Sequence, residues 1–282
     1  MTDMSPGTAH IVAIGRERGR RSFRWVHYGP IVLGAVGILA FLVVWQLFSM
    51  FGPVDQHHFP PPTEVLPTFF GNFAYAAFWT AIGHTMWAWF LGLLISTVGG
   101  VTLALLIGSS RILREFTHTT VEFLRPIPSV ALIPLAALLF GPRIGSELLV
   151  VVYGCFWIVF IQVIYGMGDV DKVADETVRT MGMRWDQRIR YLVFPTMLAY
   201  LMTGVRLAAT VALILAVSAE LIIGTPGLGK SVAQAQLNDN PPAMFTLIIT
   251  AGVLGIVVNL VFRWIERKLL FWHPSIRKEV AA

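Results

Sequence analysis

From Ile31 to Phe51 the chain runs without a single Asp, Glu, Lys or Arg. A helix needs about 20 such residues to cross the hydrocarbon core of a bilayer. Comparable apolar runs recur at about 82–108, 117–140, 145–167, 193–223 and 243–262. Hydrophobic residues make up 56% of the 282 residues and charged ones 13%, against about 25% charged in an ordinary soluble domain. That is too little charge to cover a water-exposed surface. The predicted fold class is therefore all-α, a polytopic membrane protein with six transmembrane helices. The same numbers exclude a disordered chain and a disulfide scaffold, and the one cysteine, Cys155, cannot form an internal disulfide.

The net charge of +5 becomes informative once the basic residues are mapped onto the loops. With the N-terminus placed in the cytoplasm, the internal segments carry 17 Lys and Arg residues and the external ones 2, Arg143 and Lys230. Basic residues gather on the cytoplasmic side of membrane proteins, so the distribution supports six spans with both termini inside. The expected division is a cytoplasmic tail over 1–29, a transmembrane domain over 30–268 and a second tail over 269–282. The first tail carries Arg16, Arg18, Arg20, Arg21 and Arg24. The first apolar run is too long for the core of a signal peptide and no small-residue cleavage site follows it, so it reads as an uncleaved span. Residues 52–68 hold five of the sixteen prolines and read as an extended external loop, with a short amphipathic helix near 64–78.

Gly224 to Ser231 fits the phosphate-loop pattern G-x-x-x-x-G-K-[ST] letter for letter. The pattern binds nucleotide only between a strand and a helix of a soluble α/β domain. Here an apolar span precedes it, and it reads as a glycine-rich turn capped at Gly224. His57 and His58 are adjacent in an extended loop without other ligands, and no zinc-type spacing occurs, so no metal and no cofactor are expected. No residue set suggests catalysis. Within the spans, Pro126, Pro128 and Pro134 break the third run, which reads either as a pathway or gate region or as an ordinary kinked helix. Arg206 lies eleven residues after Pro195, roughly 16 Å along a helix. A charge at that depth must face protein or water, so Arg206 either lines an anion path or pairs across helices. Glu220 lies close to the external end of the same span.

The longest internal polar segment is 169–192. Asp171, Asp175 and Glu176 open it and Arg179, Arg184, Arg188 and Arg190 follow, an order that suits a helix dipole. Val173, Thr177 or Val178, and Met181 give a modest apolar face at helical spacing. Gly182 then breaks the helix, and a second short helix leads to Pro195. A short helix with one apolar face is suited to dock in a groove of a soluble partner.

Glu176-Thr177-Val178, three residues, Gly182, nine residues and Leu192-Val193-Phe194-Pro195 resemble the E-A-A-x3-G-x9-I-x-L-P signature of permeases of binding-protein-dependent ABC importers. Thr177 and Val178 replace the alanines and Phe194 replaces leucine. Phe59 to Val65, Leu124 to Gly141, Gly204-Val205-Arg206, Ala219-Glu220, Gly227-Leu228-Gly229 and Trp272-His273-Pro274 are similar to stretches of the nitrate, sulfonate and taurine branch. The resemblance implies a transmembrane half-transporter that works as a homodimer and hydrolyses nothing itself. It implies two ATPase subunits, contacted through Asp175, Glu176, Thr177, Arg179, Gly182 and Pro195. A periplasmic or lipid-anchored binding protein would deliver the solute, a small organic or inorganic anion. The candidate pathway residues remain those read from the spans themselves: Pro126, Pro128, Pro134, Arg206 and Glu220. A secondary transporter or channel without an ATPase is the rival reading; it would call for ion sites at the midplane.

Overall fold

The structure is a computed structural model that describes residues 29–271. The basic residues of the N-terminal tail and Trp272-His273-Pro274 lie outside the described residues. Among those described, every regular element is helical. Five helices are long and apolar enough to cross a membrane, and six if the bent pair counts as one span.

Helix α1 (Gly29–Phe51) leads into α2 (Pro62–Asn72), whose first turn holds Pro62 and Glu64. Proline at a helix start sacrifices no hydrogen bond, because the first N–H groups have no partner there. The aromatic rings of Trp45, Phe59 and Phe245 meet at centroid distances of 5.5 to 6.2 Å and pin α1 to the bundle. The Ser49 hydroxyl donates to the Phe59 carbonyl at 2.6 Å beside them. The short helix expected near 64–78 ends at Asn72, and the next one, α3 (Ala76–Gly108), already begins at Ala76.

The third span is broken in two. Helix α4 (Arg111–Leu124) and the segment from Ser129 through α5 (Ile133–Phe140) meet at 77°. Pro126 and Pro128 supply no N–H across the break, while Pro134 sits harmlessly in the first turn of α5. The chain reverses at Gly141, whose φ of +65° suits glycine, and enters α6 (Ile144–Gly168). Next come α7 (Lys172–Thr180) and α8 (Trp185–Arg188). A π-turn at Ile189–Val193 joins α8 to the long α9 (Phe194–Ile223). The second short helix of the polar segment is thus the start of α9 and not a separate piece. Residues read as a glycine-rich loop contain α10 (Leu228–Leu237), and α11 (Pro241–Leu269) closes the bundle. Leu228, Val232 and Ala235 form the inner stripe of α10 and pack against Phe78 and Leu247.

The core sits where α6 lies between α3 and α9, around Val150, Cys155, Val159, Ala208, Ala212 and Ala216. Small residues let the helices approach until backbones touch. A Cβ on Gly100 would stand 3.2 Å from the Phe156 carbonyl oxygen and the Phe160 nitrogen of α6, and one on Gly166 would stand 3.0 Å from the Met197 Cα of α9. Polar bonds add to the seam: the Trp89 indole N–H donates to the Ala209 carbonyl at 2.8 Å.

Gly100→Val is expected to cost about 1–3 kcal/mol through overpacking. Gly34→Val, on a face with nothing within 4 Å, should leave stability unchanged. Melting temperatures of the two variants in detergent check this, and equal values would refute the close-packed seam.

Candidate functional site

Three places in the bundle combine polar groups with accessible or strained backbone. The first is the segment between α6 and α9. The Asp171 carboxylate accepts from the Ala174 N–H at 3.0 Å and starts α7. Helix α7 stops at Gly182, whose φ of +71° is left-handed, while the Gly182 and Met183 N–H groups close on Arg179 and Val178 carbonyls. Asp175 bonds the Arg188 guanidinium and pairs with Arg179 at 3.0 Å. This ties α7 to the start of the α8–α9 helix. The Arg188 bond holds the Asp175 carboxyl below the ordinary carboxylate range; partial desolvation opposes it, and Arg179 assists. Glu176 and Thr177 face outward. The Thr177 hydroxyl is spent on the Val173 carbonyl at 2.7 Å, whereas the Glu176 carboxylate has no ion-pair partner among the described residues. Val173 and Met181 are each 73% exposed on a helix with no buried residue. Pro195 occupies the first turn of α9.

The second place is the opposite end of the bundle. Glu220, expected near an interface, is fully buried. Its Oε2 accepts from the Thr85 hydroxyl of α3 at 3.0 Å and from the Gly229 N–H at 2.8 Å. Thr85 in turn accepts from the Leu228 N–H at 2.9 Å. One carboxylate thereby joins α3, α9 and the start of α10. A side chain at Gly227 would run into that carboxyl, and one at Gly229 into the backbone of α9. The phosphate-loop pattern is thus a corner wrapped around an acid, with a helix before it. Glu147, in the first turn of α6, lies beside Glu220 and is 2% exposed. Sequence reading passed over Glu147 and Thr85, although an acid in an otherwise uncharged span was a signal for the first.

The third place is the broken span. The Tyr153 hydroxyl donates at 2.6 Å to the Leu124 carbonyl, which has lost its helical donor to Pro128 and keeps a turn bond from the Ile127 N–H at 3.2 Å. Ser129 comes against Gly154, where a Cβ would stand 3.0 Å from its hydroxyl. Arg125 faces the space between α4 and α6. Arg206 of α9 is instead bonded to Glu266 of α11 at 2.7 Å, a carboxylate pair across helices. The structure does not bring Arg206 together with Glu220, which lies fourteen residues, roughly 21 Å, further along α9. Among the described residues no group of His, Cys, Asp and Glu could hold a metal ion.

A helical membrane bundle with this path is the fold of ABC importer permeases. It superposes on a chain of the crystal structure of a bacterial ABC transporter involved in the import of the acidic polysaccharide alginate. The TM-score is 0.58 at 14% identity, covering 86% of this chain and 96% of that one. A family profile described as "Binding-protein-dependent transport system inner membrane component" matches residues 100–271, and the chain belongs to that family. It is a permease subunit of an ABC importer. Its relatives include the putative aliphatic sulfonates transport permease protein SsuC of Bacillus subtilis (strain 168), 27% identical over 93% of each chain. Another is the taurine transport system permease protein TauC of Escherichia coli (strain K12), 25% identical over 92% of this chain and 96% of that one.

Glu220→Ala would leave the Gly229 N–H and Thr85 without their buried acceptor, at about 1–3 kcal/mol. Hydrogen exchange should quicken across α10 and stay unchanged in α7; uniform protection would sink the clasp. The Asp175 pair has a pH sign of its own. A lowered folded-state pKa stabilises the pair above the ordinary carboxylate pKa of about 4 and is lost as pH falls through the folded value. A spin label at Thr180 should therefore loosen below about pH 4 in the wild type, while in Asp175→Asn it should be mobile already at pH 7.

Proposed function

We propose that two copies of this chain form the translocation pathway of an ATP-driven importer for a small anion, a sulfonate or taurine-like solute. The observation that carries the reading is the segment 169–192. Its signature spacing coincides with a short helix whose outward face, with Val173, Met181 and an unpaired Glu176, is left without cover. Such a face suits the groove of a soluble subunit. On this reading two separate ATPase subunits hydrolyse ATP and dock on Glu176, Thr177 and the turn at Gly182. Asp175 and Arg179 hold the helix in shape, and Pro195 starts the span that receives the push. A periplasmic or lipid-anchored binding protein delivers solute at the other end. The chain sits in a bacterial cytoplasmic membrane with both termini inside, which the 17-to-2 partition of basic residues supports.

The pathway is assigned to the break at Pro126, Pro128 and Pro134, where helix ends line a cavity. Arg206, midway along α9, and Glu220, near its far end, brace the helix beside it. The anionic solute is supported by the names of the sulfonate and taurine relatives.

The test is co-purification from native membranes. An ATPase should accompany the wild-type chain and fall about tenfold or more with Gly182→Arg and with Glu176→Lys, since burying a wrong charge at such a contact costs several kcal/mol. Glu176→Lys changes only an exposed side chain in ordinary helical backbone, so its loss would not be one of folding. Retention of the ATPase by both variants would overturn the docking face, and its absence from the wild type would overturn the importer assembly.

A further inference from the structure

Arg125 is the one residue of the broken span whose surroundings call for something from outside the chain. It lines a cavity whose wall on α6 runs from Tyr153 and Gly154 through Trp157, Ile158 and Ile161 to Tyr165. Trp157 lies 13 residues from the start of α6 and 11 from its end, about 20 Å and 17 Å at the helical rise. The cavity that Arg125 lines therefore includes the middle of the span and reaches from there toward the end of α6. Arg125 is exposed in the single chain, and among the described residues no carboxylate pairs with it. A charge in hydrocarbon at that depth is expensive, so Arg125 must face water, a second copy or a solute.

Two adjoining cavities, of about 380 and 500 Å³, share Arg125, Ile161 and Tyr165 in their walls. The smaller one combines an apolar wall with the polar side chains of Arg125, Ser129, Tyr153, Gln162 and Tyr165. The Trp157 ring is part of the wall, but its indole N–H is shut away from that space and bonds nothing. The Ser129 hydroxyl, the Gln162 amide and the Tyr165 hydroxyl likewise have no partner among the described residues. No acid lines this cavity, and the remaining wall is apolar: Ile127, Ile158 and Ile161. A planar guanidinium and neutral donors converging on one space match the oxygens of a small oxyanion. A lipid phosphate does not fit, because headgroups lie at the bilayer surface and not at its middle.

We propose that Arg125, with Ser129 Oγ and the Gln162 amide, forms a binding site for a small organic oxyanion, a sulfonate or carboxylate, along the translocation path. The isoleucine wall takes the solute's carbon end. This rests on the anionic-solute reading above and adds to it a location and a set of ligands.

The test uses the permease in complex with its ATPase partner, reconstituted in nanodiscs. Ethanesulfonate is the probe, with acetate as a second anion and choline as the cationic control, and binding is followed by quenching of tryptophan fluorescence. Saturable ethanesulfonate binding is expected. It should weaken about tenfold or more in Arg125→Gln, in keeping with loss of a charge-assisted bond, and less in Arg125→Lys. Ser129→Ala should also weaken binding, measured by equilibrium dialysis. Retained ATPase association of Arg125→Gln shows that the bundle is intact. Equal affinity of wild type and Arg125→Gln would overturn the site while leaving the anionic reading standing. Binding of choline in place of both anions would overturn the site and that reading together.

Discussion

The close seating of α6 between α3 and α9 is the constraint on which the rest of the molecule depends. Inside a bilayer lipid tails are as apolar as leucine, so helices gain little merely by leaving them. Association has to come from dispersion across touching backbones and from the few polar bonds available. Gly92, Gly100, Gly166 and Gly204 meet that demand on both faces of α6, and each leaves space that a neighbour's side chain or backbone fills. With α6 held on both sides, its polar residues have fixed positions. Tyr153 reaches the freed carbonyl of Leu124, and Gly154 admits Ser129. The bend between α4 and α5 is thereby supported by α6, since the prolines that cause it leave the span with too few bonds of its own.

The two ends of α9 show different solutions to holding a polar group near a membrane. At one end Asp175 and Arg188 form an ion pair close to water, where such pairs contribute little stability but fix an angle between helices. At the other, Glu220 is buried, and its oxygen is satisfied by a hydroxyl from α3 and an N–H from α10. The lysine of the phosphate-loop pattern plays no part in that corner, and the glycines around it are explained by steric room for Glu220. A nucleotide-binding spelling arises here from a packing need.

Legibility in the sequence followed the range of the interactions concerned. The helix stop at Gly182 and the start of the span near Pro195 depend on residues within one turn, and the spacing of 169–195 displayed both; the same acids at its start include the Asp171 that caps α7. The fold class was readable because a charge-free run of bilayer length admits few alternatives. By contrast, α10 was hidden in a stretch rich in glycine, proline and asparagine, because it is stabilised by Phe78 and Leu247 and not by its own propensity. Glu220 looked like an interface residue because its partner Thr85 is 135 positions away. The prolines announced a break near Arg125 but not the 77° bend, nor that the bend would open toward Trp157 and Gln162.

On the proposed reading these separate features act as one lever. The exposed α7 is tied through Asp175 to the α8 turn, and a π-turn runs from there into α9 without a break. A displacement of α7 therefore has no flexible hinge in which to dissipate before it reaches a 30-residue helix. That helix packs along α6, and α6 carries the wall that faces Arg125. The Glu220 clasp anchors its far end against α3 and α10. A rigid rod clasped at one end and pushed at the other can only tilt, and the space that changes as α6 and α9 tilt is the one beside the broken span. The weak backbone of that span, where helical bonds are already missing, is then the part of the bundle that yields at least cost.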